Sequence, residues 1–156
     1  MEAAAAGRNG HDLGVRSTIA LAVLVAAGSA AIAVTASARD SAQGLPAYTN
    51  GYAGWPKINR RPFATPGAHS GVKNVYRSRR KIGRTYPNGT VIVKSIARPG
   101  TKGLPGQVAV MRKVGGRWRW VEYTRSGGTY SVLAQGSLCS SCHTQARAND
   151  WVFTKG

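Results

Sequence analysis

The stretch Gln107–Val114, QVAVMRKV, is followed by Gly115-Gly116 and then by Arg117–Arg125, RWRWVEYTR. Two runs of β-branched and aromatic residues flank a two-residue loop, and its glycines reach the positive φ that a tight hairpin turn needs. With Val114 opposite Arg117, strand alternation puts Ala109, Met111, Trp118, Trp120 and Glu122 on one face. Val108, Val110, Val121 and Tyr123 fall on the other. Both faces are partly apolar, so the reading predicts a sheet covered on both sides, by a helix on one and by a loop segment or a second subunit on the other.

Working outward, Val72–Tyr76 in GVKNVY reads as a short strand, and the turn Pro87-Asn88-Gly89 leads into another over Thr90–Ala97. Residues 136–148 resemble a short helix, and Asp150–Thr154, DWVFT, form an apolar tail that needs a docking place. Residues 39–71 carry Pro46, Pro56, Pro62 and Pro66, which predicts a loop-rich wrapping segment anchored by Tyr48, Tyr52 and Trp55. The expected fold class is α+β, mainly antiparallel β-sheet with a few short helices, preceded by an N-terminal hydrophobic signal or anchor helix. A chain of 156 residues bounds this to one modest domain and excludes a multi-domain enzyme.

Residues 17–38 contain no charge, nine of the 22 are alanine, and as a helix they would span about 33 Å. Two readings stay open. The short apolar centre Ile19–Ala27 and the small residues Ala36-Ser37-Ala38 fit a cleaved signal peptide, whereas the total span and the leader 1–16 fit an uncleaved membrane anchor. Either way the chain divides into the leader 1–16, the apolar segment 17–38, the wrap 39–71 and a sheet core 72–156.

Both cysteines of the chain lie in Cys139-Ser140-Ser141-Cys142-His143. Two thiols one helical turn apart can add to the two vinyl groups of one haem, and the adjacent imidazole then reaches the iron. A zinc site lacks its second cysteine pair, and a thioredoxin-like dithiol lacks its βαβ surroundings. The motif therefore predicts one covalently attached haem c, with Cys139 and Cys142 for attachment and His143 as iron ligand. For the sixth position, Met111 is in a strand pattern where methionine usually fills core, and His69 lies in a glycine-flanked loop. Neither stands out, so an open iron site is the favoured reading, with His69 as the rival ligand.

Three segments, Val72–Tyr76, Asn88–Lys94 (NGTVIVK), and Cys139–His143 with DWVFT following at 150–154, resemble the cytochrome P-460 family, which includes the cytochrome c-prime-beta proteins. The resemblance covers roughly residues 48–154. It implies a homodimer with a five-coordinate haem c, periplasmic, membrane-anchored or secreted across the cytoplasmic membrane of a bacterium. It implies a ligand or substrate among small nitrogen compounds, hydroxylamine or nitric oxide, and a lysine joined to the haem macrocycle. Lys94 ends the matching segment and is the cross-link candidate. Alternation independently places it in a row with Ile92 and Ile96, where a lysine is out of place. Lys73 matches a position where a relative has a basic residue near the haem, its plain alternative being a solvated strand charge. The family's glutamate after the lysine is replaced by Ser95, and residues 131–138 contain no acid. Hydroxylamine oxidation has protons to shed, and Glu122 is the carboxylate that approaches the pocket from its hairpin face, its plain alternative being an exposed or paired carboxylate.

The formal charge is +17, from 22 Lys and Arg against 5 Asp and Glu. The densest run holds Arg77, Arg79, Arg80, Lys81 and Arg84. It lacks the interleaved aromatics of a nucleic-acid stacking surface. Solvated loop charge is the plain reading, and a partner, if one exists, is an acidic redox protein or an anionic membrane surface. A six-coordinate electron-transfer cytochrome and a nitric-oxide binder without turnover are the alternatives to an oxidoreductase.

Overall fold

A computed structural model of the chain describes residues 42–97 and 103–153. The leader 1–16 and the apolar segment 17–38 lie outside them. Among the described residues no helix is long and apolar enough to cross a membrane.

Six strands, β1 (Phe63–Ala64), β2 (Val72–Arg77), β3 (Val91–Ala97), β4 (Gln107–Val114), β5 (Arg117–Ser126) and β6 (Thr129–Gln135), form one sheet. They lie side by side in chain order, and every neighbouring pair is antiparallel. Helix α1 (Ser137–His143) follows, continued by a 3-10 segment, Thr144–Asn149. Two further 3-10 turns, Ala47–Thr49 and Tyr52–Gly54, belong to the wrap.

The β4–β5 hairpin has the register read from the sequence, with Val114 opposite Arg117. Gly115 and Gly116 take φ of 58° and 76°, left-handed values at which a side chain would strain the turn. Strand β6 is an addition to the sequence reading. It follows a second glycine pair, Gly127-Gly128, but only Tyr130 on it is buried, so no alternating pattern marks it. A register shift between Glu122 and Tyr123 further disturbs its pairing with β5. The helix expected over 136–148 tightens to 3-10 geometry after His143.

On one face, Tyr76, Val91, Val93, Val108, Val110 and Tyr123 pack with Tyr52 and Tyr130 beneath Ala42, Leu45 and Trp55 of the wrap. Burial of each such valine stabilises the fold by roughly 1.5–3 kcal/mol. The wrap is pinned where the Tyr130 N–H donates to the Gln43 carbonyl at 2.7 Å. Gly44 lies so close there that a Cβ would collide with the Tyr130 carbonyl. On the opposite face, Val75, Ile92, Met111 and Trp118 pack with Tyr86 and Val152, flanked by Ile58, Phe63, Trp120 and Trp151. That second face carries the site.

Candidate functional site

Antiparallel register aligns Val75, Lys94, Ala109, Glu122 and Ala134 in one row across five strands. Paired residues share a face, so Lys94 and Glu122 project on the same side with only the Ala109 methyl between them. That small side chain leaves room above the sheet. Helix α1 and the segment with Val152 and Phe153 form the opposing wall. A narrow cavity between them is lined by Ile92, Lys94, Met111, Glu122, Cys139 and His143, among others. It adjoins a second cavity of ≈ 380 Å³, lined by Phe63, Thr65, Lys73, Lys94, Cys142 and His143 among others. His69, Lys94, His143 and Phe153 border both.

Residues 139–143 are helical, which puts the two free thiols and the imidazole on one short element. Cys142 is exposed, Cys139 half-buried and His143 buried. The His143 Nδ1 lies 2.7 Å from the Trp151 carbonyl. A carbonyl only accepts, so Nδ1 carries the proton and Nε2 keeps its lone pair free. Burial lowers the His143 pKa, against the opposing pull of that hydrogen bond, and Lys94 and His69 lower it further. The ring is held neutral, as a metal ligand must be. Phe153 meets it edge-on at 5.1 Å between ring centroids. Burial also raises the Cys139 pKa, with help from the charge of Glu122.

The two lysines of the site differ. Lys73 is 2 % exposed, which corrects the solvated-charge alternative of the sequence reading. Its Nζ donates to the Thr65 hydroxyl at 2.8 Å and to the Thr65 and Gly71 carbonyls, both at 3.2 Å. It also lies 5.8 Å from the centre of the Phe63 ring. Among the described residues Lys113 pairs with Asp150 and His69 lies within hydrogen-bond distance of Glu122, and Lys94 takes part in neither contact. Burial lowers the Lys94 pKa, the nearby Lys73 ammonium lowers it further, and Glu122 and Cys142 partly offset this. The consequence is an ε-amine that loses its proton more readily than an ordinary lysine, aimed at both cavities.

Glu122 Oε1 lies 2.9 Å from His69 Nδ1. Fifty-odd residues of chain separate them, and strand patterns carry no trace of the pairing. Met111 is core, 6 % exposed in the apolar cluster while bordering the narrow cavity. Asp150 is a hub: its carboxylate accepts from Lys113 Nζ at 2.8 Å, Trp118 Nε1 at 3.2 Å and the Tyr86 N–H at 2.7 Å. Burial alone would raise its pKa, but these donors outweigh burial and pull it below the ordinary value. The sequence reading missed the Trp151 carbonyl because backbone acceptors leave no residue-type signal. The basic run is partly tied down, since Lys81 Nζ donates to Asn149 Oδ1 at 2.5 Å, next to the end of the motif-bearing segment.

No curated protein and no solved structure matches the chain. The family model of Cytochrome P460 matches residues 49–154, which span both the wrap that backs the sheet and the wall that carries Cys139, Cys142 and His143. With more than half of its length matched, the chain belongs to the cytochrome P460 family.

Proposed function

We propose that this cytochrome is an exported c-type protein with one haem held by thioether bonds from Cys139 and Cys142 and by His143 on the iron. The observation that carries the reading is the His143–Trp151 hydrogen bond, which fixes the tautomer with Nε2 available, on the same helix turn as both thiols. The residues fit the group in two further respects. The cavities border all three donors, and among the described residues the buried Trp120 Nε1 has no hydrogen-bond partner. Bound there, a haem supplies redox-active iron with a coordination position for a small ligand.

The substrate class that this reading assigns is hydroxylamine or nitric oxide. Lys94, with a lowered pKa and in no ion pair among the described residues, is the amine for a second attachment to the macrocycle, an N–C bond that replaces one N–H and one ring C–H and passes two electrons to an external oxidant such as a peroxide. Glu122, oriented by His69, is the group that takes a proton at its carboxylate. Lys73 keeps a buried positive charge beside the larger cavity, suited to an anionic haem edge. A six-coordinate electron-transfer reading rests on His69, which borders both cavities. The Glu122 bond occupies its Nδ1 and leaves Nε2 for such a role.

The proposal extends to location and partners. Residues 17–38 support transfer across a bacterial cytoplasmic membrane, and the +17 charge supports an acidic redox partner or an anionic membrane surface. The exposed Val132, Leu133 and Leu138 offer apolar area to a second copy in a homodimer.

Intact mass and a ferrous absorption spectrum test the reading on protein matured with a haem-attachment system. A mass increase of one haem is expected, and an unmodified polypeptide overturns the proposal. A Soret band far to the red of ordinary haem c marks the Lys94 attachment, and Lys94→Leu should abolish the shift. Sharp low-spin bands mark a sixth ligand. A broad high-spin spectrum at ordinary wavelength marks a gas-binding site without the cross-link.

A further inference from the structure

We propose that Asp150 is a positioning residue for the axial histidine: it anchors a strained turn that aims the Trp151 carbonyl at His143 Nδ1. The inference rests on the haem reading above. Asp150 and Trp151 are consecutive non-glycine residues with positive φ, 53° and 65°. Such conformations are sparsely populated by side-chain-bearing residues, above all by a bulky one such as Trp151, and persist where the surroundings impose them. One left-handed residue is enough to end a helix. The second, with a bulky indole, is not needed for that purpose.

The surroundings that impose the turn are on the sheet. Both oxygens of Asp150 face Lys113 Nζ, at 3.0 and 2.8 Å, from β4. Trp118 Nε1 approaches from β5 at 3.2 Å, and the Tyr86 N–H from the loop before β3 at 2.7 Å. Lys113 and Trp118 are themselves opposite each other in the β4–β5 register. Three separate parts of a rigid scaffold thus fix the carboxylate, and the next residue's carbonyl is left 2.7 Å from the imidazole. Backbone bonds from Asp150 N to the Arg147 carbonyl and from Trp151 N to the Ala146 carbonyl complete the turn. A partner on the far nitrogen raises the basicity of a ligating histidine, so the anchor sets how strongly His143 donates to iron.

The test compares wild-type holoprotein with Asp150→Asn and Trp118→Phe. The readouts are the iron–histidine stretching frequency of the ferrous state by resonance Raman and the reduction potential. Loosening the turn weakens the Nδ1–H bond, so the stretch should move to lower frequency and the potential should rise. Both shifts should be larger for Asp150→Asn than for Trp118→Phe, with one haem still attached. If Asp150→Asn does not accumulate as folded protein, Trp118→Phe decides alone, since it removes one donor and leaves the ion pair. Variants that lose thermal stability while stretch and potential stay at wild-type values overturn this proposal and leave the haem reading intact. Wild-type protein without attached haem overturns the haem reading, and this proposal with it.

Discussion

The two faces of the sheet are built from the same strands and differ in what they leave unsatisfied. Beneath the wrap, valines and tyrosines close on each other, and the Tyr130 hydroxyl finds the Pro105 carbonyl at 2.6 Å. Under α1, the same strands contribute Lys73, Lys94, Glu122 and Trp120 around open volume. Burying charge without close packing is unfavourable for folding. The difference teaches a division of labour: one face is closed by apolar packing throughout, and the other combines an apolar cluster with buried charged groups around a cavity.

The comparison breaks most completely at the two cysteines proposed to attach the haem. Cys139→Ala with Cys142→Ala should abolish covalent haem, read by intact mass, while the circular dichroism of the sheet persists. Glu122→Gln sharpens it next. The variant keeps the shape of the side chain and removes its basicity, so hydroxylamine turnover should fall about 100-fold with the spectrum of the resting protein unchanged. On the other face, Val108→Ala should cost roughly 2 kcal/mol in denaturant unfolding and leave spectrum and turnover per folded molecule alone. A smaller effect belongs to acid titration. The folded-state pKa of Asp150 is below its ordinary value of 3.8, so its contribution is complete above that pH and is lost as pH falls through the folded value. Acid unfolding curves of wild type and Lys113→Met, compared across that window, should converge toward low pH.

Local features of this molecule were legible in the sequence because their causes are local. The glycine pair at 115–116 fixes the β4–β5 register and with it the face of Glu122, and alternation puts Lys94 in a row with Ile92 and Ile96; that the two share one side came only with the β3–β4 pairing. The Cys-x-x-Cys-His spacing likewise contains its own chemistry. What stayed hidden depends on elements distant along the chain. Lys73 is buried because Thr65 and Gly71 fold back over it, and Asp150 matters because three separated segments deliver donors to it. The pairing of His69 with Glu122 needs a loop with His69 at φ of 61°, which no periodicity announces. Strand β6 escaped because its outward Val132 and Leu133 hide the alternation that would mark it.

The chain-order arrangement of the six strands has a consequence for biogenesis. Each strand pairs with the one just before it in the chain, so no strand has to wait for a distant partner to be made. The cysteine-bearing helix comes after the last strand, with Leu138 and Cys142 turned outward. Both thiols therefore follow the sheet in the chain, and the attachment enzyme that the proposed haem calls for would reach Cys142 at the surface.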